Sequence, residues 1–202
     1  MVFQPNTSEC DVMDGSRHAS DLHEEVRTFV AEWSVLLLRG LRRAADLAPD
    51  IDRGVAALSL AEARQAQFAG LWLPLPAASP SVVEPSGEQD WGAVVTDITV
   101  GARLRFLFFA ALQEELAEEQ IPVLEIAVRR DPPVPEILWA DAIGYRDRVN
   151  TTVLALVDGC TRALRDRRAL SAVLGHDGTL SLFAVVFEAL REFARDPNSL
   201  SQ

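Results

Sequence analysis

DWGAVVTDITVGARLRFLFFAALQEEL, residues 90–116, is the stretch whose reading decides the fold. Its second half is a dense apolar block from Leu104 to Leu112, with Phe106, Leu107, Phe108 and Phe109 in a row. A helix carrying that block is apolar all round, and such a helix belongs in the middle of a bundle, covered by others. The stretch reads as helical from about Trp91 to Glu119. Thr96, Ile98, Thr99 and Val100 are poor helix formers, so a bend or a short strand near them stays open. Glu114, Glu115, Glu118 and Glu119 crowd the C-terminal end, where the helix dipole disfavours acids, and read as a solvated face.

Outward from this stretch, the chain of 202 residues is long enough for one sizeable domain with its own core. Hydrophobic residues make up 49%, which predicts a folded protein rather than a disordered one. The net charge of −11 argues against a nucleic-acid partner, which needs clustered cations, and against a polybasic membrane surface. All 19 basic residues are Arg. Without lysine there is no Schiff-base chemistry and no P-loop lysine; the simplest origin is codon bias in a GC-rich genome. Two cysteines, Cys10 and Cys160, make neither a disulfide framework nor a zinc site. A reducing, intracellular and cytoplasmic setting is expected from them and from a polar N-terminus unlike a signal peptide. No window reaches the roughly 18 to 20 apolar residues of a transmembrane helix, so no integral membrane segment is expected.

Residues 1–19 read as a disordered leader, 20–196 as a helical domain and 197–202 as a tail. Ser20 or Asp21 is the expected N-cap of a first helix whose apolar face runs through Val26, Phe29, Val30, Trp33, Leu36, Leu37 and Leu41. Pro49 stops it. Residues 51–72 hold a second helical pattern with Val55, Leu58, Leu60 and Phe68 as core candidates. Residues 74–89 are a Pro/Ser-rich loop. Residues 121–130 alternate like a strand, but a lone strand has no partner, so a short helix or extended segment is expected. Residues 131–135 carry three prolines and form a break. A long helix from Glu136 to about Arg165 follows, then a short one over 166–174. Gly175 to Gly178 reads as a turn, and Thr179 as the cap of a last helix ending near Phe193. The predicted fold is all-α: a single-domain bundle of six to eight helices around the central apolar one.

Catalytic signatures are lacking: no G-x-S-x-G, no H-E-x-x-H, no Gly-rich phosphate loop and no C-x-x-C. His23 beside Glu24 and Glu25 falls short of the three or four converging ligands a metal needs. His176-Asp177 has no identifiable nucleophile to serve, and turn chemistry accounts for it. Asp141 and Asp147 are six apart and do not face one another on a helix. No enzyme, metal or cofactor is expected.

Three short stretches resemble motifs of the Bcl-2 family of apoptosis regulators. Leu41-Arg42-Arg43-Ala44-Ala45-Asp46 is similar to the BH3 signature, a Leu, three residues, a small residue and Asp, with Ala45 where Gly is usual. Trp91-Gly92-Ala93-Val94-Val95-Thr96 is similar to BH1, with Asp90 in place of its Asn and Ala93 at its arginine position. Gly178, Leu182 and Phe183 resemble BH2, with Thr179 at its Trp. The motifs cover about forty residues. The interval between the second and third is longer than the family's, and no tail anchor is expected.

The resemblance implies a groove that takes a partner's amphipathic helix, with anchors at i, i+3 or i+4 and i+7. Trp91, Gly92, Val94, Val95, Leu104 and Leu107 are then groove or core, and Leu41, Ala45 and Asp46 belong to the chain's own BH3-like helix. In that family the BH1 arginine pairs with the ligand's Asp; Arg103 or Arg105 is the available substitute here. The expected function is regulation by protein–protein binding, in a divergent protein of viral or similarly compact origin acting in the host cytoplasm. A homodimer is compatible with it. Two other classes stand beside it: an acidic helical adaptor, chaperone or immunity-type protein holding a basic partner, and a small helical enzyme with a polar pocket.

Overall fold

The computed structural model describes residues 8–69, 90–129, 131–144 and 146–195, with backbone alone for 8–18, Phe68, Arg146, Asp147, Leu190 and 193–195. Among them the chain is all-α. Seven helices run α1 Ser8–Leu47, α2 Ile51–Ala69, α3 Trp91–Glu115, α4 Pro122–Arg129, α5 Glu136–Gly144, α6 Arg146–Arg165 and α7 Arg168–Arg195. A short 3-10 turn at Ala117–Glu119 links α3 to α4. The Pro/Ser-rich loop at 74–89 and the 197–202 tail lie outside the described residues.

Helix α3 is the axis. It packs against α1, α4, α5, α6 and α7. Sixteen of its residues are buried, on every face between Gly92 and Leu112. Its β-branched first half stays helical, with no bend or strand. Burial of Ile98 and Val100 outweighs their propensity, and Thr96 settles its hydroxyl by donating to the Gly92 carbonyl at 2.7 Å. Asp90 caps the start: its backbone is extended, and its carboxylate accepts from Ala93 N at 3.2 Å. Asp50 does the same for α2, accepting from Arg53 N at 3.0 Å.

Two apolar clusters meet along α3. The larger gathers Phe29 and Trp33 of α1 with Phe108 and Phe109 of α3, ring centroids 5.8 to 6.5 Å apart, mostly edge-on or tilted. The smaller gathers Leu37, Leu41 and Ala44 of α1, Ala57, Leu60 and Ala61 of α2, Val94, Val95 and Ile98 of α3, and Leu138 of α5. Polar ties fix the outer helices. Asp97 of α3 accepts from Arg148 of α6 at 3.2 and 3.3 Å, and from the Thr152 hydroxyl. Glu25 of α1 accepts from Leu170 N at 2.9 Å, capping α7 from another helix. Arg167 donates to Glu32 at 2.6 Å and lies over the Phe29 ring.

Several sequence expectations are corrected. The first helix starts at Ser8, not at Ser20 or Asp21, so residues 8–19 of the expected leader are helical; residues 1–7 lie outside the described ones. Val55 and Leu58 are exposed, at 57% and 48%. Helix α2 buries the neighbouring face of Ala57, Leu60, Ala61 and Arg64, whose small alanines let it approach α1 closely. Residues 122–129, by contrast, form the short helix expected as one of two alternatives for 121–130. The expected long helix over 136–165 is two helical segments on either side of Tyr145, itself outside the described residues.

At the other end of the chain, the turn expected over 175–178 narrows to one residue. Gly175 sits at φ 60, ψ −161, and helix resumes at once. That backbone region is open only to glycine, so α7 is two helices joined by a kink. Thr179 does not cap the second half; its hydroxyl donates back to the Gly175 carbonyl at 2.7 Å. The 168–189 segment of α7 is, by length and composition, apolar enough to cross a membrane, contrary to the sequence expectation, and 28% of its most apolar window is buried.

Candidate functional site

The BH1-like and BH3-like residues come together, as core. Leu41, Val94 and Val95 are fully buried in the smaller cluster, with Ala45 and Trp91 packed against it and Asp46 exposed on α1. Gly92 is buried in the first turn of α3. Trp91 has a polar task. Its indole Nε1 donates to Asp141 Oδ2 at 2.9 Å, and Arg53 grips the same carboxylate with Nε at 2.5 Å and a terminal nitrogen at 2.9 Å. Arg53 also donates to Asp50 at 2.6 Å. The Arg53 hydrogen bonds, with that of Trp91 behind them, hold Asp141 below the usual carboxylate range against the opposing pull of burial. So Asp141 joins α2, α3 and α5; the side chain of Asp147 lies outside the described residues.

A second polar constellation was not foreseen. Arg105, inside the central helix, is 1% exposed, and Arg64 of α2 is 0% exposed. Both donate to one carboxylate, that of Asp131 in the proline-rich segment. Arg64 adds the Pro132 carbonyl at 3.3 Å, and Arg105 adds Ser34 of α1 at 3.4 Å. Beside them Gln67 donates to the Ala127 carbonyl at 3.1 Å. Burial, then the neighbouring Arg64, pull the Arg105 guanidinium below its ordinary value, with Asp131 opposing. Arg105 is thus engaged in the interior and is no substitute for a groove arginine; Arg103 lies over the Phe106 ring, 5.4 Å from its centroid. The available signal was an arginine inside the apolar Leu104–Leu112 block, which is buried only when paired.

The remaining candidates meet elsewhere. Leu104 of α3 and Phe183 of α7 line one narrow apolar crevice with Phe108, Leu156, Val157 and Cys160, closed by Trp33 and Val186. It holds about 10 Å³ of free space, less than a helix anchor needs. Leu107 packs against the same cluster, and Leu182 is fully buried in it. Phe183 tilts against Phe108 with centroids 6.2 Å apart. Burial pushes the Cys160 thiol far above its ordinary range, so it is an unreactive packing group. Gly178 is buried where a Cβ would stand 3.3 Å from the Glu115 carboxylate. Glu115 therefore faces the restart of α7, where a helix N-terminus favours an acid.

Outside the crevice, Leu180 and Phe187 of α7 are 54% and 52% exposed. With Phe183 they stand at i, i+3 and i+7, one row along one face. Val173, Val185 and, on α6, Leu154 are also exposed. His176 and Asp177 are exposed with no nucleophile described beside them, and the His23 ring pairs with the Glu119 carbonyl at 3.2 Å. No group of three or more His, Cys, Asp or Glu able to hold a metal occurs among the described residues. The class defined by this fold is a helical bundle with a buried central helix. Comparison with protein-family models, curated proteins and solved structures returns no match.

Proposed function

We propose that this chain is a non-enzymatic regulator that binds a partner's amphipathic helix along α7, in the manner of a divergent Bcl-2-like protein. One observation carries the reading: the row Leu180, Phe183 and Phe187, exposed at its two ends, continues inward through the partly buried Phe183 to an apolar crevice lined by Leu104 and Phe108. An unpartnered apolar row leading into an apolar cleft is what a helix with anchors at i, i+4 and i+7 fits. The crevice is nearly closed, so α6 and α7 part when an anchor enters, and the kink at Gly175 leaves the second half of α7 a separate segment to do so.

The test is isothermal titration of the full chain against a panel of BH3-type helical peptides, in low and high salt. At least one peptide should bind at micromolar affinity or tighter, with little salt dependence, because apolar burial is not screened. Silence across the panel rejects helix capture. Binding that weakens steeply with salt moves the chain to the class that holds basic partners by acidic patches.

A further inference from the structure

A second cleft, about 420 Å³, opens between the end of α3, the 3-10 turn and α4, away from the crevice of α7. That volume lies in the range of small-molecule sites. Its floor includes Leu116, Ile121 and Leu124, all buried, and its polar wall is Gln113, Gln120 and Glu125. The wall offers one carboxylate and two amides, each amide with an accepting oxygen beside its donating NH₂. Glu125 is half-exposed and leans on Arg129 of its own helix at 2.7 Å, a surface i,i+4 contact that exchanges readily.

Gln120 is the telling residue. It is the one non-glycine with positive φ among the described residues, at φ 50, ψ 56. A glycine would adopt that left-handed backbone without the Cβ penalty. Glutamine there ends the 3-10 turn in the left-handed conformation common at helix C-termini and puts an amide at the lip of the cleft.

We infer that this cleft binds an alkylguanidinium group, its stem on Leu116, Ile121 and Leu124 and its planar head on Gln113, Gln120 and Glu125. A guanidinium offers five N–H donors in a rigid fork and no acceptor, which the Glu125 carboxylate and the two amide oxygens can accept. The net charge of −11, with Glu114 and Glu118 exposed alongside, favours a cation over an anion. The same head group occurs on an arginine side chain of a partner and on a free alkylguanidine.

The probe is n-butylguanidinium, titrated into the isotope-labelled full chain while backbone amide shifts are followed. Saturable shifts confined to residues 113–125 are expected, absent with butyrate, and weakened at least tenfold in Glu125→Gln. Gln120→Gly should weaken binding at least threefold while the melting temperature holds or rises. An arginine tripeptide with blocked ends, run against agmatine, separates the sources: tighter binding of the peptide assigns a partner's side chain, tighter binding of agmatine a free ligand. No saturable shift with any guanidinium, equal shifts with butyrate, or unchanged affinity in both variants overturns the inference.

Discussion

Removing the Asp131 carboxylate should be among the most damaging single changes in this chain. Asp131 is gripped by two guanidiniums, those of Arg64 and Arg105, whose side chains are 0% and 1% exposed. Asp131→Ala leaves two cations facing each other without solvent. Breaking a buried pair by deleting one partner costs about 3–5 kcal/mol, and the residual repulsion places this site near the upper end. Against a typical domain stability of about 5–15 kcal/mol that is a third or more of the total. For a domain of this size it is a fall of about 10–20 °C in melting temperature.

The assay is urea unfolding followed by circular dichroism, comparing wild type with Asp131→Ala and with the triple replacement Arg64→Met, Asp131→Leu, Arg105→Met. The triple variant should regain most of the loss, because an apolar triad of similar volume avoids the desolvation that the ionic one suffers. A loss below about 1 kcal/mol for Asp131→Ala would refute the reasoning, since a cost that small is typical of a surface pair. So would a triple variant as unstable as the single one.

Asp141 is held below its ordinary value by Arg53 and Trp91. A carboxylate with a depressed folded-state value stabilises the fold above the unfolded-state value, about 3.9, and that contribution disappears as pH falls through the folded-state value. Asp141→Asn should therefore flatten the acid limb of stability below about pH 5 and lower stability at pH 7, read from urea midpoints at each pH. Gly175→Ala should cost about 1–3 kcal/mol from the backbone alone, because a Cβ there meets nothing within 4 Å; calorimetry checks it, and an unchanged melting temperature would contradict the kink. Phe187→Asp should leave the melting temperature within about 1–2 °C, since the side chain is 52% exposed, while weakening any helical ligand at least tenfold by titration.

The central helix was legible because its signal is local: a dense apolar block needs no partner to be read, and Leu104, Phe108, Phe109 and Leu112 are all buried. Asp90 reads only as standing in place of a motif Asn, although its role as the cap of α3 is equally local. What sequence did not yield depends on distance. Arg105 reads as a candidate groove arginine because its acid lies 26 residues on and its fellow cation 41 back, in segments that read as a break and a helical pattern. Val55 and Leu58 looked like core because they are large and apolar, yet close approach of α1 selected the alanine face instead. Trp91 illustrates a third case. As a motif residue it pointed to a groove, whereas its indole is spent on holding Asp141, a partner 50 residues away. Leu104 and Phe183 came from separate stretches and share one crevice, which no spacing along the chain could indicate.

Cys160 offers the most direct test of helix capture along α7. Its thiol lines the crevice beside Leu104 and Phe183 and is buried, so a thiol reagent reaches it only when α6 and α7 part. In a Cys10→Ser background, the alkylation rate of Cys160 should be slow in the free protein. It should fall at least tenfold further when a bound helical peptide fills the opened crevice. A peptide that binds yet leaves the rate unchanged would show that the helix docks elsewhere, and the proposed site would be wrong.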